Sequence, residues 1–385
     1  MKKPAFFLDR DGVLNEDTHF VSSPETLVLY PWTAEALKAL EVAGFLRIVV
    51  TNQSLVARKM ATEDTLQAIH AKMEKDLAQE GASVHAIYYC PHHPEFGEGS
   101  STEQGCSCRK PEPGMLLEAA EKWQIDLPAS YMVGDNERDI LAGKNAGCRT
   151  IGVRSGKGLR QATQIPDYVF ENLHEAVTFV TQDPYKDWVE QMVQRIQNHP
   201  HPTFKIRIGG NTQSGKTTLA TRLRFALEEA GISVVQVPLD QWLIPREKRK
   251  QPTEVHETFR LDRLSFDLQR FMDGKPVLVP GYARHPQQKA LAMEYLWSSP
   301  RVLLVEGVPA LLEPMDEVGW DYSLAMTETP DQLKARTAQL YAWKGLNKHQ
   351  IQEKWEEKWQ EEYQTITASC TRADETLHRP NNSKP

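Results

Sequence analysis

Two aspartates stand two residues apart where an apolar run meets a glycine, in Phe7-Leu8-Asp9-Arg10-Asp11-Gly12. A carboxylate in such a place can attack phosphorus and form an aspartyl phosphate. A second carboxyl beside it can protonate the leaving oxygen and then deprotonate the hydrolytic water. The same chemistry needs positive charge for the phosphoryl oxygens and a metal cation to hold the nucleophile next to a dianion. Candidates follow in order: Thr51 at the end of a second apolar run, Lys110, and Asp135 in Val-Gly-Asp-Asn-Glu-Arg-Asp-Ile. Farther on, Gly210, Asn211, Thr212, Gln213, Ser214, Gly215, Lys216 and Thr217 fit G-x-x-x-x-G-K-[ST], with Thr218 next. Backbone amides of such a loop cradle the phosphates of ATP, Lys216 would reach the β and γ oxygens, and Thr217 would hold Mg2+. Asp240 and Glu306, each closing a later apolar run, suit a base for an attacking hydroxyl and an organiser of the Mg2+ of ATP.

A third group lies between them. Cys90, His92, Cys106 and Cys108 read C-x-H and C-x-C in a glycine- and proline-rich stretch that runs into Arg109 and Lys110. Three thiolates and one imidazole suit tetrahedral Zn2+, and a closed set of four ligands makes the ion structural. His93 is the alternative to His92. The N-terminus begins with Lys2 and Lys3 but meets charge again at Asp9, too early for a signal segment. A cytoplasmic chain is therefore expected, where a metal site is favoured over a disulfide framework.

These residues need strands to carry them. Apolar runs at 5–9, 45–52, 86–90 and 130–135 alternate with helical spacings at 33–44, 62–81 and 113–124. Such alternation implies a mainly parallel sheet, with functional residues at strand ends. After 204 the pattern restarts: a strand to Gly210, a helix to Gly231, and strands at 232–240 and 301–307. The fold class expected is α/β, with two domains, each a mainly parallel sheet flanked by helices. The 385 residues divide as 1–182 and 183–370, with 183–202 a connector whose helix at 185–197 is either a link or the first helix of the second domain, and 371–385 a disordered tail that has little to bury. Trp355, Trp359 and Tyr363, spaced by four, read as a packing stripe. A net charge of −7 weighs against a protein held mainly by nucleic-acid phosphates. No apolar run approaches the ~20 residues of a membrane span.

The order LDRDGV, TNQS, CRKPEPG, VGDNERDI resembles the haloacid-dehalogenase (HAD) superfamily, and more narrowly the heptose-bisphosphate 7-phosphatases and histidinol-phosphate phosphatases. The resemblance covers roughly residues 4–180. It implies Asp9 as nucleophile, Asp11 as general acid and base, and Thr51 and Lys110 as phosphoryl ligands. It implies Mg2+ on Asp9, the Asp11 carbonyl and Asp135, and substrate contacts from Asn52 and Arg109. The zinc loop belongs to the same families. Leu55 replaces a usual Gly and Asn136 a frequent Lys. The second half, over about 203–345, resembles the uridine kinase, phosphoribulokinase and pantothenate kinase group. Asp240 there matches the base of a loosely kept motif, Pro280 and Tyr282 the acceptor region, and Arg336, with Lys344 a weaker candidate, the lid. The resemblances imply a bifunctional phosphatase and ATP-dependent kinase acting on small metabolites, a sugar bisphosphate such as a heptose bisphosphate being the favoured phosphatase substrate. Two alternatives stay open, a polynucleotide kinase-phosphatase and a phosphatase with a regulatory nucleotide-binding domain.

Overall fold

The structure is a computed structural model that describes residues 2–96, 106–244, 255–279, 285, 287, 292–295 and 300–379. The chain folds as two compact units, Met1–Asp183 and a second beginning at Pro184.

In the first unit the strands are β1 (Ala5–Leu8), β2 (Leu46–Asn52), β3 (Ala86–Cys90), β4 (Tyr131–Gly134), β5 (Arg149–Val153) and β6 (Tyr168–Phe170). They form one sheet in the order β3-β2-β1-β4-β5-β6, and every pairing is parallel. The runs AFFL and LRIVV are buried throughout, as strands covered on both faces must be. Helices α1 (Thr33–Val42), α2 (Glu63–Gln79), α3 (Gly114–Trp123), α4 (Glu137–Ala146) and α5 (Leu173–Gln182) cross between or follow the strands. Helix α2 begins where the Thr62 side chain accepts from Thr65 N, and it buries Leu66, Ile69, His70, Met73 and Leu77, one stripe at helical spacing. The strand order reverses between β1 and β4. That switch point opens a crevice at the carboxyl ends of the strands, and Asp9 and Asp135 sit on its two sides.

The second unit holds β7 (Phe204–Gly209), β8 (Val234–Pro238), β11 (Val302–Glu306), β12 (Tyr322–Thr327) and β13 (Glu375–His378), all parallel, in the order β13-β12-β7-β11-β8. Strands β9 (Val277–Val279) and β10 (Met293–Tyr295) make a separate antiparallel pair. The helices are α6 (Lys186–Gln197), α7 (Lys216–Glu229), α8 (Val255–Thr258), α9 (Leu261–Met272), α10 (Pro330–Trp343), α11 (Lys348–Lys358) and α12 (Gln364–Ser369), with a π-helical turn at Trp359–Tyr363. Both units are thus parallel sheets flanked by helices.

Of the two readings of the 185–197 helix, the structure takes the second: α6 is the first helix of the second unit, burying Trp188, Val189, Met192 and Ile196, and Arg301 Nη2 donates to Ile196 O at 3.1 Å. The expectation of a disordered tail is corrected, since Glu375–His378 pairs with β12. Its side chains are mostly exposed, so the strand is held by main-chain bonds that an apolar count cannot reveal. Tyr282 and Pro280 lie outside the described residues.

His70 ties α2 to the crevice. Burial, helped by the Arg10 guanidinium, pushes its imidazole from 6.5 down to about 4. The folded unit therefore resists protonation that the unfolded chain accepts. This contribution is complete above the unfolded value and is lost as pH falls from about 6.5 toward 4. Urea unfolding at pH 7.5 and 4.5 should find a wild-type loss larger than that of His70→Gln by about 2–3 kcal/mol. Equal losses would remove His70 as the cause.

Candidate active sites

The first site is built around a buried ammonium. Lys110 Nζ lies 3.0 Å from Asp9 Oδ1 and 2.7 Å from Asp139 Oδ1, and donates to Val50 O at 2.8 Å. Asn52, at the end of β2, holds the Lys110 main chain with both ends of its amide: Nδ2 donates to Lys110 O at 2.9 Å, and Oδ1 accepts from Lys110 N at 3.1 Å. Asp9 N in turn donates to Val133 O, fixing the end of β1 against β4. Oxygens of Asp9, Asp135 and Asp139 all lie within 4.8 Å of one another. Gly12, at φ +84°, passes so close to Asp135 that a Cβ there would come within 2.3 Å of Oδ2, so no side chain fits.

Charge in this cluster is unevenly matched. Burial pushes the Asp9 carboxyl up, Lys110 pulls it down, and Asp139 raises it again, for a net rise. Asp135 rises well above the ordinary carboxylate range through burial and the charges of Asp139 and Asp9. Lys110 is lowered by burial but raised on balance by Asp139 and Asp9. Two carboxylates pair with one ammonium and a third, Asp135, stands within 4.8 Å of both, and oxygen donors at this spacing are what a small hard cation such as Mg2+ requires.

Asp11 is handled separately. Its carboxylate accepts from Arg10 Nε at 3.1 Å, Asn15 Nδ2 at 2.9 Å and Gln53 Nε2 at 2.9 Å. Gln53 Nε2 also reaches Thr51 Oγ1 at 2.8 Å. Burial would raise the Asp11 carboxyl, but Arg10 and these hydrogen bonds outweigh it and hold it below its ordinary value. The resting group is ionised and ready to take a proton from water. A dianion alongside would raise it toward the acid form. The cleft over these groups has a volume of about 190 Å³, and Arg58, Arg109, Arg138 and Lys157 line it with Asp9, Thr51 and Asn52.

The cysteine-histidine group closes beside this cleft. Cys90 Sγ is 3.6 Å from His92 Nδ1 and 3.7 Å from Cys106 Sγ, His92 Nδ1 is 3.1 Å from Cys106 Sγ, and Cys108 Sγ is 3.6 Å from His92 Nδ1. Tetrahedral Zn2+ would set sulfur-sulfur edges of about 3.8 Å and sulfur-nitrogen edges of about 3.6 Å. Four of the edges sit within about 0.5 Å of that figure, and Cys106 to Cys108, at 2.8 Å, is tighter. Burial pushes the Cys90 and Cys108 thiols up, which a cation would reverse. His93 turns instead to Arg58, whose Nη2 is 2.9 Å from His93 Nε2. Arg109 Nη1 donates to His92 O at 2.7 Å, tying the group to the cleft.

In the second unit the phosphate loop joins β7 to α7. Lys216 Nζ donates to Asn211 O at 2.7 Å and lies 3.5 Å from Ser214 Oγ. Burial lowers its ammonium, and Glu306, Asp240 and Glu362 pull it partly back. Thr217 Oγ1 stands 3.1 and 3.0 Å from the two oxygens of Glu306, at the end of β11. Asp240 lies just past β8 in a 3-10 turn, Leu239–Trp242, on the same edge of the sheet. Arg336 lies within α10, 3.4 Å from Glu328.

Sequence reasoning missed several of these groups. Asp139 has no role in the sequence reading. It is the third residue of α4, whose cap Asn136 gives its N–H to Asp139 Oδ2 at 3.0 Å. Its spacing of four from Asp135 was the available signal. Gln53, Arg138 and Lys157 reach the cleft only through tertiary folding. So do Lys358 and Glu362 at the phosphate loop, where Glu362 accepts from Thr212 N at 2.9 Å.

Residues 107–176 match a family model described as "HAD-hyrolase-like". A D-glycero-beta-D-manno-heptose-1,7-bisphosphate 7-phosphatase from Pasteurella multocida (strain Pm70) is 42% identical over 173 residues, 44% of this chain and 93% of that protein. A crystal structure of a D,D-heptose 1.7-bisphosphate phosphatase from B. bronchiseptica, complexed with magnesium and phosphate, is 37% identical. It covers 48% of this chain and 99% of that one, with a TM-score of 0.43. A putative fructose transport system kinase from Silicibacter sp. TM1040 is 21% identical, covers 50% of this chain and 97% of that one, and has a TM-score of 0.42.

Removing the central cation should cost stability as well as chemistry. Lys110→Ala leaves Asp9 and Asp139 buried without their partner, at about 3–5 kcal/mol. Urea melts with and without Mg2+ should show part of that loss recovered by the metal. A variant as stable as wild type in metal-free buffer would contradict the ammonium's role.

Proposed function

We propose that this chain, which belongs to the D-glycero-beta-D-manno-heptose-1,7-bisphosphate 7-phosphatase family of HAD-like hydrolases, is a bifunctional enzyme. Its first unit hydrolyses a phosphomonoester of a small metabolite, with a sugar bisphosphate such as heptose bisphosphate favoured. Its second unit transfers phosphate from ATP to the hydroxyl of a small acceptor, a sugar, polyol or nucleoside.

The observation that carries the first half is the Lys110 ammonium shared by Asp9 and Asp139, with Asp135 alongside, under a cleft rimmed by arginine and lysine. A cleft of about 190 Å³ with that charge suits a small phosphate dianion better than a polymer. Asp9 attacks phosphorus, and the bond to the leaving oxygen breaks as Asp11 gives that oxygen a proton. Asp11, ionised again, takes a proton from water, whose oxygen attacks the aspartyl phosphate and frees Asp9 and inorganic phosphate. Lys110 and Thr51 hold the phosphoryl oxygens, with Gln53 fixing the Thr51 hydroxyl. Asp9, Asp135 and Asp139 fit Mg2+, which when bound neutralises the charge between nucleophile and dianion. Cys90, His92, Cys106 and Cys108 fit structural Zn2+, bracing Arg109 and Lys110.

The kinase reading rests on the phosphate loop with Lys216 inside it and Thr217 on Glu306. Asp240 is the group placed to take the acceptor's proton. The deciding experiment gives Asp9→Asn protein Mg-ATP and a panel of sugars, sugar phosphates, polyols, nucleosides and 5′-hydroxyl oligonucleotides. Phosphatase turnover should fall at least about 10³-fold, while one acceptor class gains one phosphate in mass. ATP binding without transfer to any acceptor would turn the second unit into a regulatory domain. Transfer to the oligonucleotide would favour end repair.

Zinc is tested separately. Metal analysis should find one Zn2+ per chain. Its removal by a strong chelator, with Mg2+ restored, should lower the melting temperature of the first unit by roughly 6–12 °C, the equivalent of about 3 kcal/mol. Phosphatase activity should fall with it while ATP binding persists. An unchanged melting curve would dismiss the brace.

A further inference from the structure

Three successive residues of the phosphate loop are held by the C-terminal stretch of the chain. Asn211 Nδ2 donates to Thr367 Oγ1 at 3.1 Å. Thr212 gives its N–H and its hydroxyl to Glu362 Oε1 at 2.9 and 2.6 Å, and Lys358 Nζ bonds Thr212 Oγ1 at 3.0 Å. Gln213 O accepts from Arg379 Nη1 at 3.0 Å. Glu362 belongs to the π-helical turn, a geometry that recurs at functional sites. The stretch read from sequence as packing and tail is therefore part of the walls of the second site.

Arg379 is the residue among these with chemistry to spare. Strand β13 runs parallel to β12 in the register Thr327 with His378, and Arg379 N donates to Thr327 O at 3.0 Å. The main chain is thus fixed up to Arg379, at the edge where β7 hands over to the loop. From there the side chain crosses to the loop. Its stem runs beside Gly215, where an added Cβ would lie 3.3 Å from Arg379 Cδ and 3.6 Å from Cγ. Gly215 precedes Lys216, the first residue of α7, and phosphates gather at that helix N-terminus. A guanidinium carries five N–H donors, and the Gln213 carbonyl engages one. It stays charged at every working pH.

We propose that Arg379 is a nucleotide-binding residue that supplies the phosphate loop with a second cation, contacting the phosphate chain of the triphosphate. This rests on the reading of the second unit as an ATP site. It assigns to the last strand a task that the sequence pattern places on the lid, whose candidate Arg336 is paired with Glu328.

The test uses the full chain and calorimetric titration with MgATP and with magnesium tripolyphosphate. Arg379→Ala should weaken both by about 10- to 100-fold, the range for a hydrogen bond to a charged group. Arg379→Lys should recover part of the loss. The melting temperature without ligand should stay close to wild type, because the substitution keeps the main-chain bond to Thr327 and removes one part-buried side-chain hydrogen bond. Undiminished binding by Arg379→Ala would overturn the proposal. So would weakening of ATP alone, which places the guanidinium on the nucleoside, or a loss of affinity that follows a lowered melting temperature. Wild-type protein that binds neither ligand, indistinguishable from Lys216→Ala, would remove the ATP-site reading and the proposal together.

Discussion

A parallel sheet delivers the carboxyl ends of all its strands to one edge, and everything chemical in this chain departs from such an edge. In the first unit Asp9, Asn52, Cys90 and Asp135 end or follow β1, β2, β3 and β4. In the second, the phosphate loop, Asp240, Glu306 and Arg379 end or follow β7, β8, β11 and β13. Because crossover helices return the chain to the opposite edge, residues more than a hundred positions apart, such as Asp9 and Asp135, meet there. The reversal of strand order at β1 and β4 opens the cleft there, which is why Asp9 and Asp135 line it while Asp139 stays fully buried.

Within the first unit the edge creates an electrostatic problem that the sequence solves in two ways. Asp11 is given its own cation and amides, from Arg10, Asn15 and Gln53, and so is held ionised. Asp9 and Asp139 share Lys110, Asp135 stands beside them, and their crowding raises Asp9 and Asp135. Two carboxyls two residues apart thus acquire opposite tendencies. A cation bound beside Asp9 and Asp135 would lower the first, and a phosphate dianion would raise Asp11, which is the order a nucleophile and a proton carrier require.

Legibility followed contact range. Asp9, Asp11, Thr51, Lys110 and Asp135 could be named from sequence because each ends a strand-like run or follows the cysteine group directly. The phosphate loop is one contiguous pattern with its strand and helix attached. Asp139 was hidden by the periodicity of α4, on which an acid in the first turn ordinarily serves the helix dipole. Asn52 was read as a substrate contact, yet its amide clasps the Lys110 main chain, a pairing 58 positions long that no local pattern encodes. β13 escaped notice because an edge strand bound through its backbone needs no apolar stripe. With it escaped Arg379, and with the π-helical turn escaped Glu362.

The two buried lysines have unlike surroundings, which fits the two different phosphoryl chemistries proposed for them. Lys110 is clasped by carboxylates, and their charge raises it despite burial. An incoming phosphate there competes with anions already in place, so the site favours a metal cation to settle the surplus negative charge, and a carboxylate is at hand to become the covalent acceptor. Lys216 rests on a main-chain carbonyl and a hydroxyl, and burial lowers it. An anion arriving there relieves a desolvated charge instead of displacing a rival, which favours holding a polyphosphate over attacking it. Placed beside Lys216, a carboxylate like Asp9 would cancel the attraction that fills the loop. Given neutral acceptors alone, Lys110 would have no carboxylate beside it to attack phosphorus. Hydrolysis through the protein and transfer past it therefore demand opposite surroundings for the same side chain, and a separate sheet for each is the simplest way to supply them.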